Sequence, residues 1–509
     1  RGNDQHRKSL TQRHVCHPGQ IATVLQCVSL VGFIQYVYVS FSILMKTTLV
    51  LTLAAIALVG LLAFILSCKK ATVETVSQPA RNRITAPEWS YSANLYEVNI
   101  RQYTPEGTFN AFRQHLPRLK KMGVDILWLM PIHPISVPNR KGTLGSYYAV
   151  SDFRAINPLF GTADDFRQLV DSVHALGMHI IIDWVPHHTG WDHPWITEHP
   201  DYYNKNEKGE IRDPINEETG EPWGWTDVAE LNLDNPDMRR QITEDMIYWI
   251  QDFHIDGFRV DHAHGVPADY WDGVSRALAN LNTPLFMLAE GEETYLRNDS
   301  SFVAGYAWKI HHLMNDIAAG KGNINKMDTL LAEDRSKYKY GYNIYFTSNH
   351  DENSWAGTEF ERLGDGAQTF AALCYTLDGM PLVYSGQEEP LKKRLAFFEK
   401  DTIPFLNYAY ADFYTTLNHL KKTNHALWNG EHGGLSSRIN TSKEVYAFMR
   451  EMQGDTLIGV FNLTPKPQKT KLTVSVNGFK QVFTDQTVSL SKGTQINLGP
   501  WEYHLYSNR

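Results

Sequence analysis

The sequence predicts an α/β protein whose largest part is a closed (β/α)8, or TIM-type, barrel of parallel strands wrapped by helices. From Ala93 onward, short apolar runs alternate with amphipathic helical stretches, a pattern typical of parallel strands joined by helices. Four of these runs end in an acid or a histidine: Ile180–His188, Ile255–Asp261, Leu285–Glu290 and Ile344–Asp351. Because barrel enzymes carry their chemistry where the strands end, these four segments indicate one active site.

Eight apolar runs are the candidate barrel strands. They are Asn94–Ile100, Asp125–Pro131, Met178–Trp184, Ile255–Val260, Pro284–Glu290, Ser301–Tyr306, Tyr342–Ser348 and Met380–Ser385. Helical stretches such as Ala111–Met122 and Ala163–Leu176 fall between them, and Gly123 and Gly177 stand where helix C-caps belong. We expect the catalytic barrel to cover residues 85–420.

Two further segments depart from the barrel pattern. Thr189–Asn235, after the third strand, is rich in Trp, Pro, Asp, Glu and Gly, which predicts an inserted loop subdomain (residues 189–235) over the site. After Lys421 the apolar residues alternate instead, as in Glu444–Arg450 and Thr456–Asn462. This predicts a C-terminal antiparallel β-sandwich over residues 421–509.

The N-terminal part predicts export. From Met45 a Lys and an apolar run lead to Ile65-Leu66-Ser67-Cys68, which resembles a bacterial lipoprotein signal. We expect a signal peptide at residues 45–67, lipid on Cys68, a tether at 68–84, and a membrane-anchored protein at the cell surface or in the periplasm. Residues 1–44 are interpreted as a non-native upstream leader. The alternative is a plain membrane span over Thr47–Ser67.

Composition narrows the class of partner. The 509 residues carry a formal net charge of -8 with a pI near 6.2, so no basic surface indicates a nucleic-acid partner. Of the four cysteines, Cys16 and Cys27 lie in the leader, Cys68 would carry lipid, and Cys374 alone lies in the body. No disulfide is therefore expected in the mature chain. The sequence leaves the oligomeric state open.

The acids at the strand ends suit acetal cleavage between sugars. This reaction needs a carboxylate nucleophile and a carboxylic acid, which lie about 5–5.5 Å apart in retaining enzymes. Asp261 and Glu290 close neighbouring strands, and Arg259 lies on the same strand face as Asp261, where its cation would keep that carboxylate ionised. Partial burial behind its apolar run would raise the pKa of Glu290, as a general acid requires. Asp351, beside His350, is the third acid.

Taken together, these motifs resemble the α-amylase family, glycoside hydrolase family 13. The motifs are Asp183–His188 (DWVPHH), Gly257–Asp261 (GFRVD), Glu290 after its apolar run, Asn349–Asp351 (NHD) and Glu230–Asn232 (ELN). Each motif alone is a weak signal, but all of them in this order on a barrel pattern are specific.

The resemblance implies a retaining hydrolase of α-glucosidic bonds and a role for each site residue. Asp261 would be the nucleophile, Glu290 the acid/base and Asp351 the stabiliser of the transition state. The sugar next to the cleaved bond would be bound by His188, Arg259 and His350, and it would stack on Tyr148. We expect an α-glucan substrate, with α-1,4 cleavage of starch-like maltooligosaccharides preferred.

The sequence leaves open both the preferred substrate and whether the protein is an enzyme or a non-catalytic partner. Within the family they are neopullulanase or cyclomaltodextrinase and α-1,6-glucosidase, because the loop motif Val228–Asn232 does not decide between them. A non-catalytic amylase-like membrane partner is the alternative from another class. In the long loop, Trp191, Trp195, Trp223 and Trp225 either stack on glucan or pack the subdomain. His262 and His264 either shape the leaving-group side or are ordinary loop histidines.

One position departs from the family pattern. The family usually has Asn directly before the His of the first motif, and in many members this Asn binds a structural calcium ion. Here the residue is His187, and calcium prefers oxygen ligands. We therefore expect no required cofactor, with Asp192, Asp201 and Asp227 as the remaining candidate donors for calcium.

Overall fold

The structure, a computed structural model, describes residues 83–216, 219–299 and 302–509, which belong to one compact unit. The predicted leader, signal peptide, lipidated Cys68 and most of the tether lie outside the described residues. Within the described ranges, no helix is long and apolar enough to cross a bilayer.

The first ten strands include the predicted barrel. They are β1 (Leu95–Val98), β2 (Ile126–Leu129), β3 (His179–Trp184), β4 (His188–Gly190), β5 (Val228–Glu230), β6 (Gly257–Val260), β7 (Phe286–Ala289), β8 (Ala304–Tyr306), β9 (Tyr342–Phe346) and β10 (Met380–Tyr384). All but β4 and β5 close into a parallel barrel in the order β1-β10-β9-β8-β7-β6-β3-β2. Each barrel strand falls within a predicted apolar run, so the (β/α)8 prediction is confirmed.

Helices cover the outside of the barrel. Their bounds are Ile100–Tyr103, Phe109–Arg113, Leu116–Met122, Ala163–Ala175, Pro236–Phe253, Ala268–Ala279, Thr294–Asn298, Trp308–Ala318, Asn325–Lys337, Glu359–Leu363, Ala367–Thr376 and Ala411–Thr423. A further short helix, Trp195–Glu198, lies in the loop subdomain. Gly123 caps its helix with φ +89° and Gly177 has φ +64°, the left-handed backbone that glycine favours.

One predicted helix is divided. The segment Ala111–Met122 forms the end of one helix, Phe109–Arg113, and the whole of a second, Leu116–Met122. Pro117 lies in the first turn of the second helix, where its missing N–H costs nothing. Inside one continuous helix the same proline would have removed a hydrogen bond and clashed with the preceding turn.

The predicted loop subdomain contains an antiparallel pair, β4 with β5, in which His188 lies opposite Glu230. The last barrel helix, Ala411–Thr423, runs past residue 420, and antiparallel strands follow from Ser437. These are β11 (Ser437–Arg438), β12 (Val445–Met452), β13 (Asp455–Asn462), β14 (Gln468–Lys471), β15 (Val476–Gln481), β16 (Thr487–Leu490), β17 (Gln495–Leu498) and β18 (Tyr503–Ser507).

The C-terminal strands form two antiparallel sheets. The larger has the order β11-β12-β13-β18-β15-β16, and the smaller pairs β14 with β17. A separate apolar cluster that includes Val445, Ile458, Leu472 and Leu498 draws side chains from both sheets. This is the arrangement expected of a small β-sandwich.

Candidate active site

The carboxyl ends of the barrel strands open into a cleft of about 550 Å³. Five of the seven predicted site residues line it: Tyr148, His188, Asp261, Glu290 and Asp351. The other two, Arg259 and His350, are only 1% and 2% exposed and lie beneath the cleft. The fold therefore brings all seven together.

A single buried guanidinium, that of Arg259, lies at the centre. Strands β3 and β6 are in a register that places Asp183 opposite Arg259. The Nη1 atom of Arg259 lies 3.0 Å from Asp183 Oδ1 and 3.0 Å from Asp261 Oδ1. The Nη2 atom of Arg259 lies 2.9 Å from Glu290 Oε2. One cation therefore links the ends of β3, β6 and β7.

Backbone contacts fix Asp261 and Glu290. The N–H of Asp261 donates to the carbonyl of Trp184, and the N–H of Glu290 donates to the carbonyl of Val260. The N–H of His262 donates to Glu290 Oε2 at 2.8 Å. Each acid thus continues the hydrogen-bonding of its strand toward the preceding strand, which orients both side chains into the cleft.

Gly257, at the start of β6, allows the two strands to approach. Its φ is +147°, and an added Cβ atom would lie 2.0 Å from the carbonyl oxygen of Phe286 on β7. Only glycine can occupy that position without moving one strand away from the other. The close approach of β6 and β7 helps to bring their terminal acids to the same guanidinium.

A second buried cation faces the first across the cleft floor. His350 Nδ1 lies 2.6 Å from Glu97 Oε1, and His350 Nε2 lies 3.2 Å from Asp351 Oδ2. The Tyr148 hydroxyl is 2.8 Å from His350 Nε2 and donates to Asp183 Oδ2 at 3.1 Å. This chain of polar contacts joins the His350 side of the site to Arg259.

Burial and the crowding of like charges raise the pKa values of several carboxyl groups in the site. Burial, together with neighbouring Glu290, raises the pKa of Asp261 well above its usual value, against the opposing effect of Arg259. Burial also raises the pKa of Asp183 to about 6 and raises that of Glu97. These carboxyl groups therefore hold protons more tightly than exposed acids do.

The pKa values of His350 and Asp351 shift in opposite directions, as they do in an ion pair. Burial alone would lower the pKa of His350, but the carboxylates of Asp351 and Glu97 outweigh it and raise the pKa well above the usual value. Burial alone would raise the pKa of Asp351, but His350 outweighs burial and lowers it. His350 is therefore an imidazolium at neutral pH.

Sequence reasoning missed two members of the site. They are Glu97, on β1, and Asp183, on β3, both fully buried. The available signal was an acid inside an apolar strand, as in Leu95–Val98, because such an acid needs a buried partner. The partner itself could not be read from the sequence, since it comes from another strand.

His187, the residue at the position where many family members have a calcium-binding Asn, lies near Glu230. The residues around Glu230 do not fit a calcium site. Glu230 Oε2 lies 2.5 Å from Arg212 Nη2 and accepts a hydrogen bond from Asn204 Nδ2 at 2.9 Å. His187 Nε2 is 3.9 Å from the other oxygen of Glu230, and burial with neighbouring histidines lowers the pKa of His187 well below its usual value. A guanidinium and two nitrogen donors thus surround this carboxylate, whereas calcium takes six or more oxygens.

The three aspartates proposed as alternative calcium donors are used separately. Asp192 accepts from the N–H of Val137, Asp201 accepts from the side chain of Asn235, and Asp227 pairs with Lys141. Across the residues that the structure describes, no group of three or more His, Cys, Asp and Glu side chains is arranged to hold a metal ion.

The four loop tryptophans divide into two pairs. Trp195 is 9% exposed and packs against Phe153 and Tyr202, so it belongs to the subdomain core. Trp191 is partly buried, and its indole N–H donates to the carbonyl of Thr226. Trp225 lines the cleft and stacks on Trp223.

His262 and His264 also line the cleft, next to Glu290.

Comparison with known proteins agrees with the family resemblance of the sequence motifs. The model of the family described as "Alpha amylase, catalytic domain" matches residues 79–402, more than half of the chain. Alpha-amylase 2 of Dictyoglomus thermophilum is 23% identical over 82% of this chain and 76% of its own length. Alpha-amylase MalA of Haloarcula japonica is 25% identical over 80% of this chain, which spans 61% of MalA.

Solved structures agree in fold. A noncanonic maltogenic alpha-amylase, AmyB from Thermotoga neapolitana, superposes with a TM-score of 0.74 at 27% identity, covering 82% of this chain and 99% of AmyB. An alpha-amylase from Lactobacillus plantarum gives a TM-score of 0.73 at 24% identity, covering 83% of this chain and 100% of its own. The second similarity, at its lower identity, bears on the fold alone.

The Glu97–His350 pair generates a test of the site's electrostatics. Glu97→Gln keeps an oxygen acceptor for Nδ1 but removes its charge, so the pKa of His350 should fall. Because the native state binds this proton more tightly than the unfolded chain does, the pair's stabilisation is complete below about pH 6.5 and declines as pH rises through the raised pKa. We expect a loss of roughly 1–3 kcal/mol of unfolding free energy at pH 6, shrinking at alkaline pH.

The measurement is the pH titration of histidine ring ¹⁵N shifts, with His350 assigned by its loss in His350→Asn, together with urea unfolding at several pH values. Glu359→Gln is the matched control, because Glu359 is also buried but contacts Thr347 and Gln387 instead. An unchanged His350 titration in Glu97→Gln would contradict the role given to Glu97.

Proposed function

Because the chain belongs to the α-amylase family and is a glycosidase that acts on α-glucans, we propose that it cleaves α-1,4-glucosidic bonds of starch-like maltooligosaccharides with retention of configuration. One observation carries the mechanism: Asp261 and Glu290 bind different nitrogens of the same guanidinium, that of Arg259. Two carboxyl groups held as neighbours at an open cleft are what a retaining mechanism needs.

The reaction proceeds in two displacements. In the first, the Asp261 carboxylate attacks the anomeric carbon, while the Glu290 carboxylic acid gives its proton to the departing glycosidic oxygen. A bond forms between Asp261 and the sugar as the glycosidic bond breaks. In the second, the Glu290 carboxylate takes a proton from water, whose oxygen attacks the same carbon and releases Asp261.

The balance of charge in the site bears on the ionisation of the proposed nucleophile. Five carboxyl groups, those of Glu97, Asp183, Asp261, Glu290 and Asp351, surround two cations, Arg259 and His350. Full ionisation would bury an excess of negative charge, which a low-dielectric site resists. Burial and neighbouring Glu290 raise the pKa of Asp261, and the cation of Arg259 opposes this rise, so the Asp261 carboxylate that attacks the sugar depends on Arg259.

The remaining residues hold the sugar and its developing charge. Asp351, kept ionised by His350, faces the cleft, where it stabilises the positive charge of the oxocarbenium-like transition state. The ring of Tyr148 lines the cleft as a stacking surface for the sugar. Burial and His262 lower the pKa of His188 to about 3, so its neutral imidazole hydrogen-bonds the sugar.

Asp261→Asn tests the mechanism, because an amide cannot act as the nucleophile while its size is unchanged. We expect a loss of at least about 10³-fold in kcat. Reducing ends and product lengths from soluble starch, pullulan, cyclodextrin and isomaltose measure it, with protein that begins at Lys69. Asp272→Asn, on the exposed face of Ala268–Ala279, is the matched control and should keep wild-type activity.

The substrate ranking decides between the alternatives. Starch cleaved fastest supports the proposal, pullulan or cyclodextrin cleaved fastest favours neopullulanase or cyclomaltodextrinase, and isomaltose favours an α-1,6-glucosidase. Full activity in Asp261→Asn contradicts the assigned nucleophile. Binding of α-glucans without turnover by the wild type would favour the non-catalytic membrane partner.

The loop subdomain is proposed to need no structural calcium, with Arg212 supplying positive charge to Glu230. The support is the 2.5 Å contact between Arg212 Nη2 and a carboxylate that is 2% exposed. EDTA should leave the thermal unfolding midpoint unchanged, whereas Arg212→Ala should cost about 3 kcal/mol by removing one cation from a buried carboxylate.

Calorimetry of the wild type with EDTA or added calcium measures any dependence of the unfolding midpoint on calcium. Calorimetry of Arg212→Ala measures the loss of stability from removing the cation. Arg167→Ala is the control, since its ion pair with Asp164 is exposed and should contribute less than about 1 kcal/mol. A midpoint that falls in EDTA and recovers with calcium would overturn this part of the proposal.

The protein is further proposed to be an exported lipoprotein, anchored to a membrane through lipid on Cys68. The support is the sequence from Met45 to Cys68. Mass spectrometry of the protein from a bacterial membrane should find Cys68 as the N-terminal residue with attached acyl chains. Cys374→Ser should carry the same lipid, because Cys374 is buried on the helix Ala367–Thr376. An unmodified Cys68 within an uncleaved chain would favour a membrane span over Thr47–Ser67.

A further inference from the structure

Two neighbouring histidines contact each other behind the wall of the cleft. His188 lines the cleft, and His187 directly precedes it in the chain. Both side chains are buried, and their Nδ1 atoms lie 3.3 Å apart. The proposed mechanism uses His188 to bind the sugar but gives His187 no role. Because His187 is also the position that departs from the family pattern, the family pattern does not supply this contact.

Both rings are neutral, which limits how they can share protons. Burial and the neighbouring histidines lower the pKa of His187 well below its usual value, and burial with His262 lowers that of His188 to about 3. A neutral imidazole has one N–H donor and one acceptor nitrogen. The two Nδ1 atoms can therefore share only one proton, because two N–H groups or two lone pairs would repel each other. One ring donates and the other accepts.

The surroundings of His187 decide which ring donates. His187 Nε2 lies 3.9 Å from Glu230 Oε1. Arg212 and Asn204 both contact the other oxygen of Glu230, Oε2. The distance from Nε2 to Oε1 is too long for a hydrogen bond, but the negative charge of the carboxylate favours a proton on Nε2 over a lone pair. Since His187 has a single ring proton, its Nδ1 is then the acceptor, and His188 donates from Nδ1.

Backbone pairing and packing hold the two rings in this relation. The N–H of Leu231 donates to the carbonyl of His187 at 3.0 Å, and His188 lies opposite Glu230 in the β4–β5 pair. The ring of His262 packs edge-on against that of His187, with centroids 4.8 Å apart. The imidazole of His187 therefore has little freedom to turn away from His188.

We propose that His187 is a positioning residue that fixes His188 in the tautomer with its proton on Nδ1, so that His188 Nε2 accepts a hydrogen bond from a hydroxyl of the bound sugar. Because Nδ1 of His188 is turned to His187, Nε2 is the ring nitrogen left for a ligand in the cleft. This assignment rests on the proposed function and deepens it, since it names the donor and the acceptor in one sugar contact.

The ring ¹⁵N shifts of His188 report its tautomer directly. In the wild type we expect a protonated Nδ1 and an unprotonated Nε2, with the resonances assigned by their loss in His188→Asn. In His187→Leu the acceptor is gone, so the proton should move mainly to Nε2, where it can reach water in the cleft. His187→Asn offers an amide oxygen to Nδ1–H and should restore most of the wild-type form. A wild-type His188 with its proton on Nε2 overturns the proposal.

Sugar binding measures the consequence of the tautomer. Calorimetric titration of maltopentaose into Asp261→Asn, with EDTA present, avoids both turnover and calcium. Adding His187→Leu should raise the dissociation constant at least about threefold, because only the fraction of His188 with its proton on Nδ1 binds as in the wild type. His187→Asn should keep most of the affinity. His193→Leu is the matched control, because His193 is a buried imidazole of the loop subdomain that does not line the cleft.

Sugar analogues show which partner donates the hydrogen bond. Fluorine in place of a hydroxyl removes the donor and keeps a weak acceptor, whereas hydrogen in its place removes both. The hydroxyl bound by His188 is the one whose replacement in maltose weakens binding no further in His188→Ala. At that position the fluoro and deoxy analogues should both bind about tenfold more weakly than maltose. A fluoro analogue that binds clearly better than the deoxy analogue would show that Nε2 donates, contrary to the proposal.

The outcomes separate the positioning role from the proposed function. The ring of His188 also contacts the backbone carbonyl of Tyr148. An unchanged His188 tautomer in folded His187→Leu, as judged by thermal unfolding, would show that this carbonyl fixes it, which overturns the role of His187 and keeps the proposed function. A wild type that binds maltopentaose in the expected pattern but cleaves no α-glucan overturns the proposed function alone. A protein that binds no maltooligosaccharide overturns both.

Discussion

The site depends on one polar interaction, the binding of three carboxyl groups by the buried guanidinium of Arg259. The partners Asp183, Asp261 and Glu290 come from the ends of three barrel strands, and each lies within about 3 Å of a guanidinium nitrogen. A planar fork with several fixed donors can satisfy acids on different strands at once, which an ammonium group does less well. Removal of this cation would leave buried carboxylates facing one another.

The catalytic protonation state follows from the same interaction. Arg259 and His350 together supply fewer positive charges than the surrounding carboxyl groups could supply negative ones, so the site keeps protons that exposed acids would release. His350 itself stays charged because Glu97 lies 2.6 Å from Nδ1 and Asp351 lies 3.2 Å from Nε2.

The sequence predicted those parts of the fold and site that repeat along the chain. Barrel strands such as β3 are unbroken apolar runs, and Asp261 and Glu290 directly follow such runs, so one pattern located both fold and acids. Glu97 was missed because its partner, His350, lies 253 residues away. The roles of Trp195 and Trp225 could not be separated either, since composition does not tell which indole a loop turns inward.

The most direct test of Arg259 is the pH dependence of kcat/KM on α-maltosyl fluoride for the wild type and Arg259→Gln. The acid limb of this profile reports ionisation of the nucleophile. If Arg259 holds Asp261 ionised against burial and Glu290, the limb moves to higher pH in the variant. An acid limb at the wild-type pH, with only a lower plateau, would show that Arg259 positions the substrate without setting the charge of Asp261.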